Sequence, residues 1–268
     1  MGKGWGRRPP LKALFFDVDG TLVSFQTHTV PQSALKALAA AREKGLLLFA
    51  ASGRRAGPLR QGGALGEYPF DGFVTTNGQY CYTPTQEVYA NPIPQGDIRR
   101  VVELLEEGLF PCLFVEKDRH YLSQTSPRVE QLNRQIAMEP PPVEDFHRAL
   151  TQPVYQMNFF LTVQQEQAVL AQLPHCRAIR WNDLYSDIIP KEGNKWVGIQ
   201  RMLAHFSLAP EEIAAFGDGE NDLEMLRRAG VGVAMGNSSP QVQAAADLVT
   251  GSVEADGIAQ AMVQLGIL

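Results

Sequence analysis

"LFFDVDGTLV", residues 14–23, runs an apolar segment directly into two carboxylates, Asp17 and Asp19, and then into a Gly-Thr turn. With "LKA" before it, the segment is a short, continuous apolar run rather than an alternating one, the pattern of a strand buried on both faces. Like charges beside such a strand are costly to hold together, so the two acids need a compensating partner.

"GLLLFAAS", residues 45–52, reads as a second buried strand. Between the two, residues 31–45 read as a helix, with Pro31 near its start, Leu35 and Leu38 on one face and Gly45 as its stop. Strand, helix and strand in this order predict a parallel sheet. "FDGFVTTNG" (70–78) supplies a third strand, and residues 79–90 read as a hairpin closing at Pro84 and Thr85.

From about residue 97 to 186 the rhythm changes. Helical stretches such as "DIRRVVELLEEG", "SPRVEQLNRQIAM" and "VQQEQAVLAQL" mix with isolated strands such as "CLFVEK", "VYQMNFFLTV" and "RAIRW", and "EPPPVED" is a rigid break. After "SDIIPKEGNK" the first rhythm resumes, with "IAAFGD", "GVGVAM" and "ADLVT" as strands and "NDLEMLRRAG" and "SPQVQAAA" as helices. The expected fold class is α/β: a parallel-sheet core built from residues 1–90 and 187–268, with an α+β domain inserted at 91–186.

Composition sets the outer bounds. The 268 residues are 44% hydrophobic and 20% charged, an ordinary globular balance. A net charge of -5 gives no electrostatic reason to expect nucleic acid or an anionic membrane as partner. Cys81, Cys112 and Cys176 are odd in number and widely spaced, which supports neither a disulfide framework nor a CxxC metal site and favours a reducing cytoplasm. The N-terminal apolar run is short and meets Asp17 at once, unlike a signal peptide, and no stretch approaches the length of a membrane span.

"AFGDGENDLEM", residues 215–225, puts Asp218 and Asp222 at the end of another strand. In open α/β sheets ligands gather outside the carboxyl ends of the strands, so acids distant in sequence can converge there. Hard oxygen donors suit Mg2+, and His and Cys at zinc spacing are absent. Each motif alone has a plainer account, as an Asp-Gly turn or a helix cap; four acids at two strand ends weigh against it.

"ASGR" (51–54) places Ser52 and the Gly53 amide at the end of the second strand, where a hydroxyl and an N–H can hold a phosphoryl oxygen, although Ser52 alone reads equally as a turn residue. Lys195 opens the helix "KWVGIQRML" and offers a point charge to the same group; Lys191 is its rival, less favoured because it lies outside the helix entry. Arg54 either reaches the substrate or faces outward. His28, His120, His147, His175 and His205 have no partner spacing and read as structural or exposed.

"DVDGTL", "SGR", the lysine before a helix and "GDGENDLEML" followed by "GVGVAMGNSSPQVQAAADLVT" together resemble the haloacid dehalogenase superfamily of phosphohydrolases, in its Cof-type branch. The resemblance covers both ends of the chain; the middle matches that branch's C2-type cap by position and length only. It implies a Rossmann-like core in which Asp17 is the nucleophile and takes the phosphoryl group as an aspartyl phosphate. Asp19 is then general acid and base in turn. Mg2+ is held by the Asp17 carboxylate, the Asp19 backbone carbonyl and Asp218, while Asp222 supports that site from behind. Ser52, Gly53 and Lys195 bind the phosphoryl oxygens, assisted by Asn221. Two departures from the family pattern are Ser52, where many relatives have Thr, and the lack of a Gly after Lys195.

The expectation is therefore a cytoplasmic, Mg2+-dependent phosphatase acting on small phosphorylated metabolites such as sugar phosphates, with no nucleic-acid or membrane partner and an oligomeric state the sequence does not give. A phosphomutase resembling phosphomannomutases, or a non-catalytic metabolite-binding regulator on the same fold, are the alternatives.

Overall fold

The computed structural model describes residues 9–60, 65–66, 68–136, 139–180 and 183–268. Residues 1–8 of the expected core, Ala137 and Met138 at the end of an expected helix, and Trp181 at the end of an expected strand lie outside the described residues. Two compact units emerge, one from Met1–Tyr89 with Asn194–Leu268, the other from Ala90–Gly193.

The first part of the chain forms β1 (Ala13–Asp17), β2 (Leu47–Ala51), β3 (Gly72–Thr75), β4 (Tyr80–Tyr82) and β5 (Glu87–Ala90). The middle forms β6 (Cys112–Val115), β7 (His120–Leu122), β8 (Gln156–Phe159), β9 (Cys176–Ile179) and β10 (Ser186–Pro190). The last part adds β11 (Ile213–Gly217), β12 (Val231–Ala234) and β13 (Leu248–Val249).

One sheet runs β13-β12-β11-β1-β2-β3-β4-β5. Its strands from β13 to β3 are parallel, and β4 turns back antiparallel on β3. Every residue of β1 is buried, as its unbroken apolar run requires of a strand with helices on both faces. Phe15 stacks on Phe49 of β2 and Phe16 on Phe216 of β11, at centroid distances of 4.4 and 4.7 Å. The chain leaves β1 for β2 on one side and returns from the insertion as β11 on the other, so β1 sits where strand order reverses and a crevice opens beyond the strand ends.

The inserted unit has its own sheet, β7-β6-β8-β10-β9, antiparallel at each of its pairings. Its core joins Ile98, Val101, Leu105, Phe114, Phe159 and Ile188. Two of its strands, β7 and β10, fall where no strand was expected. β7 has only three residues, and in β10 Asp187 and Pro190 break the apolar run although the whole strand is buried between β8 and β9. Cys81, Cys112 and Cys176 are buried free thiols. Among the described residues no helix is long and apolar enough to cross a membrane.

Candidate active site

Three neighbouring parallel strands, β11, β1 and β2, end together. β1 ends at Asp17, paired in register with Ala51, so Ser52 follows one residue further on; β11 ends at Gly217, immediately before Asp218. Sheet register thus gathers side chains some 200 positions apart in sequence, as Thr21 Oγ1 donating to Asp218 Oδ1 at 3.1 Å illustrates.

At the centre Lys195 Nζ donates to Asp17 Oδ1 and, at 2.6 Å, to Asp222 Oδ1. Asn194 caps the helix Lys195–Phe206, its Oδ1 accepting from Val197 N at 3.0 Å, and so fixes where the lysine leaves the backbone. The competing Lys191 is exposed, with its backbone N–H on His175 O. Burial alone would lower the Lys195 pKa, but the Asp17 and Asp222 carboxylates outweigh it and hold the ammonium charged.

Asp17, Asp218 and Asp222 each present an oxygen within 4.8 Å of the others. Burial, then the Asp222 charge, pushes the Asp17 carboxyl well above the usual carboxylate range despite Lys195. The same two causes, in the same order, raise Asp218 to about 6. Crowded hard-oxygen donors whose charges resist one another fit a small divalent cation such as Mg2+. Asp222 has both oxygens engaged, Oδ1 by Lys195 and Oδ2 by the N–H groups of Asp218 and Gly219 at 3.0 and 2.9 Å, so it suits a supporting position better than a ligand's.

Gly20 lets the turn after β1 lie close against the Asp218 side chain. It has φ +83°, and a Cβ there would come within 2.3 Å of Asp218 Oδ2. Asp19 lies further out, gripped by Arg54, whose Nε and Nη2 donate to its two oxygens at 2.8 and 2.5 Å. Arg54 thus neither faces outward nor stands apart from the acids; it forks onto one of them. Ser52 is buried, its Oγ accepting from Arg54 N at 3.0 Å. Gly53 lies under the Asn77 amide, and Asn221 Nδ2 donates to Asn77 Oδ1 at 3.1 Å.

Three contributors were not singled out from the sequence. Thr21 and Asn237 both donate to Asp218, and Asn237 also ties Gly20 O to Val253 N. Asn77 sits in "TTNG", where the Asn-Gly pair signals only a turn. Among the described residues none of the five histidines belongs to the acid cluster.

The family model for haloacid dehalogenase-like hydrolases matches residues 14–262. YkrA of Bacillus subtilis is 34% identical over 96% of this chain and 98% of its own. Pyridoxal phosphate phosphatase YbhA of Escherichia coli is 29% identical over 93% and 96% of the two chains. Among solved structures, a HAD subclass IIB sugar phosphatase is 39% identical with a TM-score of 0.85, covering 96% of this chain and 100% of that one. A HAD-superfamily phosphatase from Bacteroides thetaiotaomicron is 33% identical with a TM-score of 0.90, covering 99% and 100%.

Proposed function

The chain belongs to the haloacid dehalogenase-like hydrolases and is a phosphomonoester hydrolase of that family, and from this premise we propose that it dephosphorylates small metabolites through an Mg2+-dependent aspartyl-phosphate cycle. The observation that carries the reading is the buried Lys195 bridging Asp17 and Asp222, with Asp218 alongside, at the mouth of three adjacent strands. A nucleophilic carboxylate must meet a phosphate dianion, and a fixed ammonium beside it lowers their mutual repulsion.

In this reading the Asp17 carboxylate attacks phosphorus while Asp19 protonates the leaving oxygen; Asp19 then deprotonates the water that cleaves the aspartyl phosphate. Ser52, Gly53 and Lys195 hold the transferring oxygens, assisted by Asn221. The Asp17 side chain, the Asp19 backbone carbonyl and Asp218 would hold Mg2+, which when bound supplies further charge neutralisation. The inserted unit, Ala90–Gly193 rather than the 91–186 expected from the sequence because β10 joins its sheet, would select the leaving group. Sugar phosphates and pyridoxal phosphate, named for relatives of this chain, are the first substrate classes to try.

The test is a panel of phosphorylated metabolites and para-nitrophenyl phosphate, assayed with Mg2+ and with EDTA, together with acid-quench trapping of phosphoprotein. Turnover that needs Mg2+ and a phosphoprotein lost in Asp17→Asn are expected. Full turnover in EDTA, or an active Asp17→Asn, would overturn the reading.

A further inference from the structure

Thr76, Asn77 and Gly78 follow β3 with φ of 48°, 53° and 88°, three successive residues in the left-handed region. Glycine adopts it freely and asparagine tolerates it, but a β-branched threonine there is a true outlier. Thr76 is buried as well, and its hydroxyl has no hydrogen-bond partner among the described residues. Two unfavourable features at one residue persist only where the surroundings over-determine the conformation, and such places concentrate at functional sites.

The turn touches each segment that the proposed function assigns to the phosphoryl group. Thr76 N donates to Arg54 O at 2.9 Å and Asn77 N to Ser52 O at 3.1 Å, joining it to the loop after β2. The Asn77 side chain lies against Gly53, where a Cβ would meet its Nδ2 and Oδ1 at 3.3 Å each. Its Oδ1 accepts from Asn221 Nδ2, reaching the turn after β11. Gly78 packs against Asn194 and Lys195 so tightly that a Cβ would come 2.1 Å from Asn194 O. Asn77 is itself 1% exposed, which leaves its amide a single set of neighbours.

We propose that Asn77 is a positioning residue for phosphoryl transfer, setting the distance between the Gly53 amide and the Asn221 side chain; this rests on the reading of those two groups as phosphoryl ligands. The left-handed turn is retained because it aims the Asn77 amide between them. An extended or right-handed backbone at 76–77 would carry that side chain away from both loops.

Asn77→Gly separates the role from the strain, since glycine is at ease at φ 53° whereas Asn77→Ala is not. The Gly variant should melt below the parent only by the loss of the buried amide and the Ala variant lower still, because it adds backbone strain, yet both should lose about 10- to 100-fold in kcat on para-nitrophenyl phosphate, the size of loss that misplacement of a group at the reacting centre produces. In an Asn221→Ala background, Asn77→Gly should cost little more, because the two act as one unit. A Gly variant with parental kcat, one that melts as low as the Ala variant, or fully multiplicative losses with Asn221→Ala would overturn the proposal. Asp17→Asn assayed in parallel separates the two ideas: if it turns over, the reading of the site falls, whereas if it is dead and the Asn77 and Asn221 losses multiply, only the positioning role falls.

Discussion

Lys195 Nζ lies 2.6 Å from Asp222 Oδ1 with neither side chain exposed, while the other Asp222 oxygen takes the N–H groups of Asp218 and Gly219. Asp222 is therefore a strut between the lysine of one helix and the turn that carries Asp218. Its carboxylate stays satisfied through backbone donors and an ammonium, which is how a charge survives full burial.

Removing the ammonium should be the most damaging single change for the metal-free fold. Lys195→Met keeps the volume but leaves the Asp17 and Asp222 carboxylates without their cation, and breaking a buried ion pair in this way costs about 3–5 kcal/mol. Urea melts in EDTA measure it directly. A Met variant as stable as the parent would show that the ammonium contributes nothing to the metal-free fold.

The acid cluster also gives metal-free stability a defined slope against pH. Asp17 and Asp218 are both raised by burial and by Asp222, Asp218 from 3.8 to about 6, so the folded protein holds protons that the unfolded chain has released. The sign follows: the Asp218 contribution is fully present below about pH 4 and is lost as pH rises through about 6, and the Asp17 contribution is likewise lost as pH rises. In EDTA, Asp218→Asn should remove part of the decline in thermal midpoint that the parent shows between pH 4 and 7. Mg2+ competes with those protons, so its binding should weaken below about pH 6 and should release protons, readable by calorimetry in buffers of different ionisation enthalpy. Proton-independent Mg2+ binding would contradict this.

Much of the core sheet was legible because its strands are continuous apolar runs ending in Asp, Ser or Gly, so period and terminators coincide at "LFFDVDG" and "AFGDG". Convergence of Asp17 and Asp218 followed from parallel order alone. β10 was illegible because its neighbours, rather than its own pattern, bury Asp187 and Pro190. Asn77 and Asn237 were illegible for a different reason. Both act through loops whose sequences announce only turns, and the partners they hold arrive from 144 and 217 residues away.

Arg54 should matter through Asp19 rather than through its own charge. The fork fixes both carboxylate oxygens, a geometry that lysine cannot reproduce. Arg54→Lys should therefore resemble Arg54→Ala, with a lowered kcat and a near-parental thermal midpoint, because this pair is more than a third exposed and adds little to stability. Full activity in the Lys variant would assign the arginine to charge alone.

The division of labour between Asp17 and Asp19 can be read from leaving groups. If Asp17 is the nucleophile, Asp17→Asn removes the covalent step and should lower turnover by several orders of magnitude. Asp19→Asn preserves the backbone carbonyl and so the capacity to accept Mg2+, but removes the proton shuttle, a loss of about 100- to 10,000-fold where protonation is needed. Para-nitrophenolate leaves without much help and a sugar alkoxide does not. Steady-state rates cannot separate these effects cleanly, because Asp19 also activates water in the second step, which is common to all substrates. Single-turnover formation of phosphoprotein isolates the first step. There Asp19→Asn should slow a sugar phosphate far more than para-nitrophenyl phosphate, and equal slowing of the two would mean that Asp19 does not protonate the leaving oxygen and that its grip by Arg54 serves some other purpose.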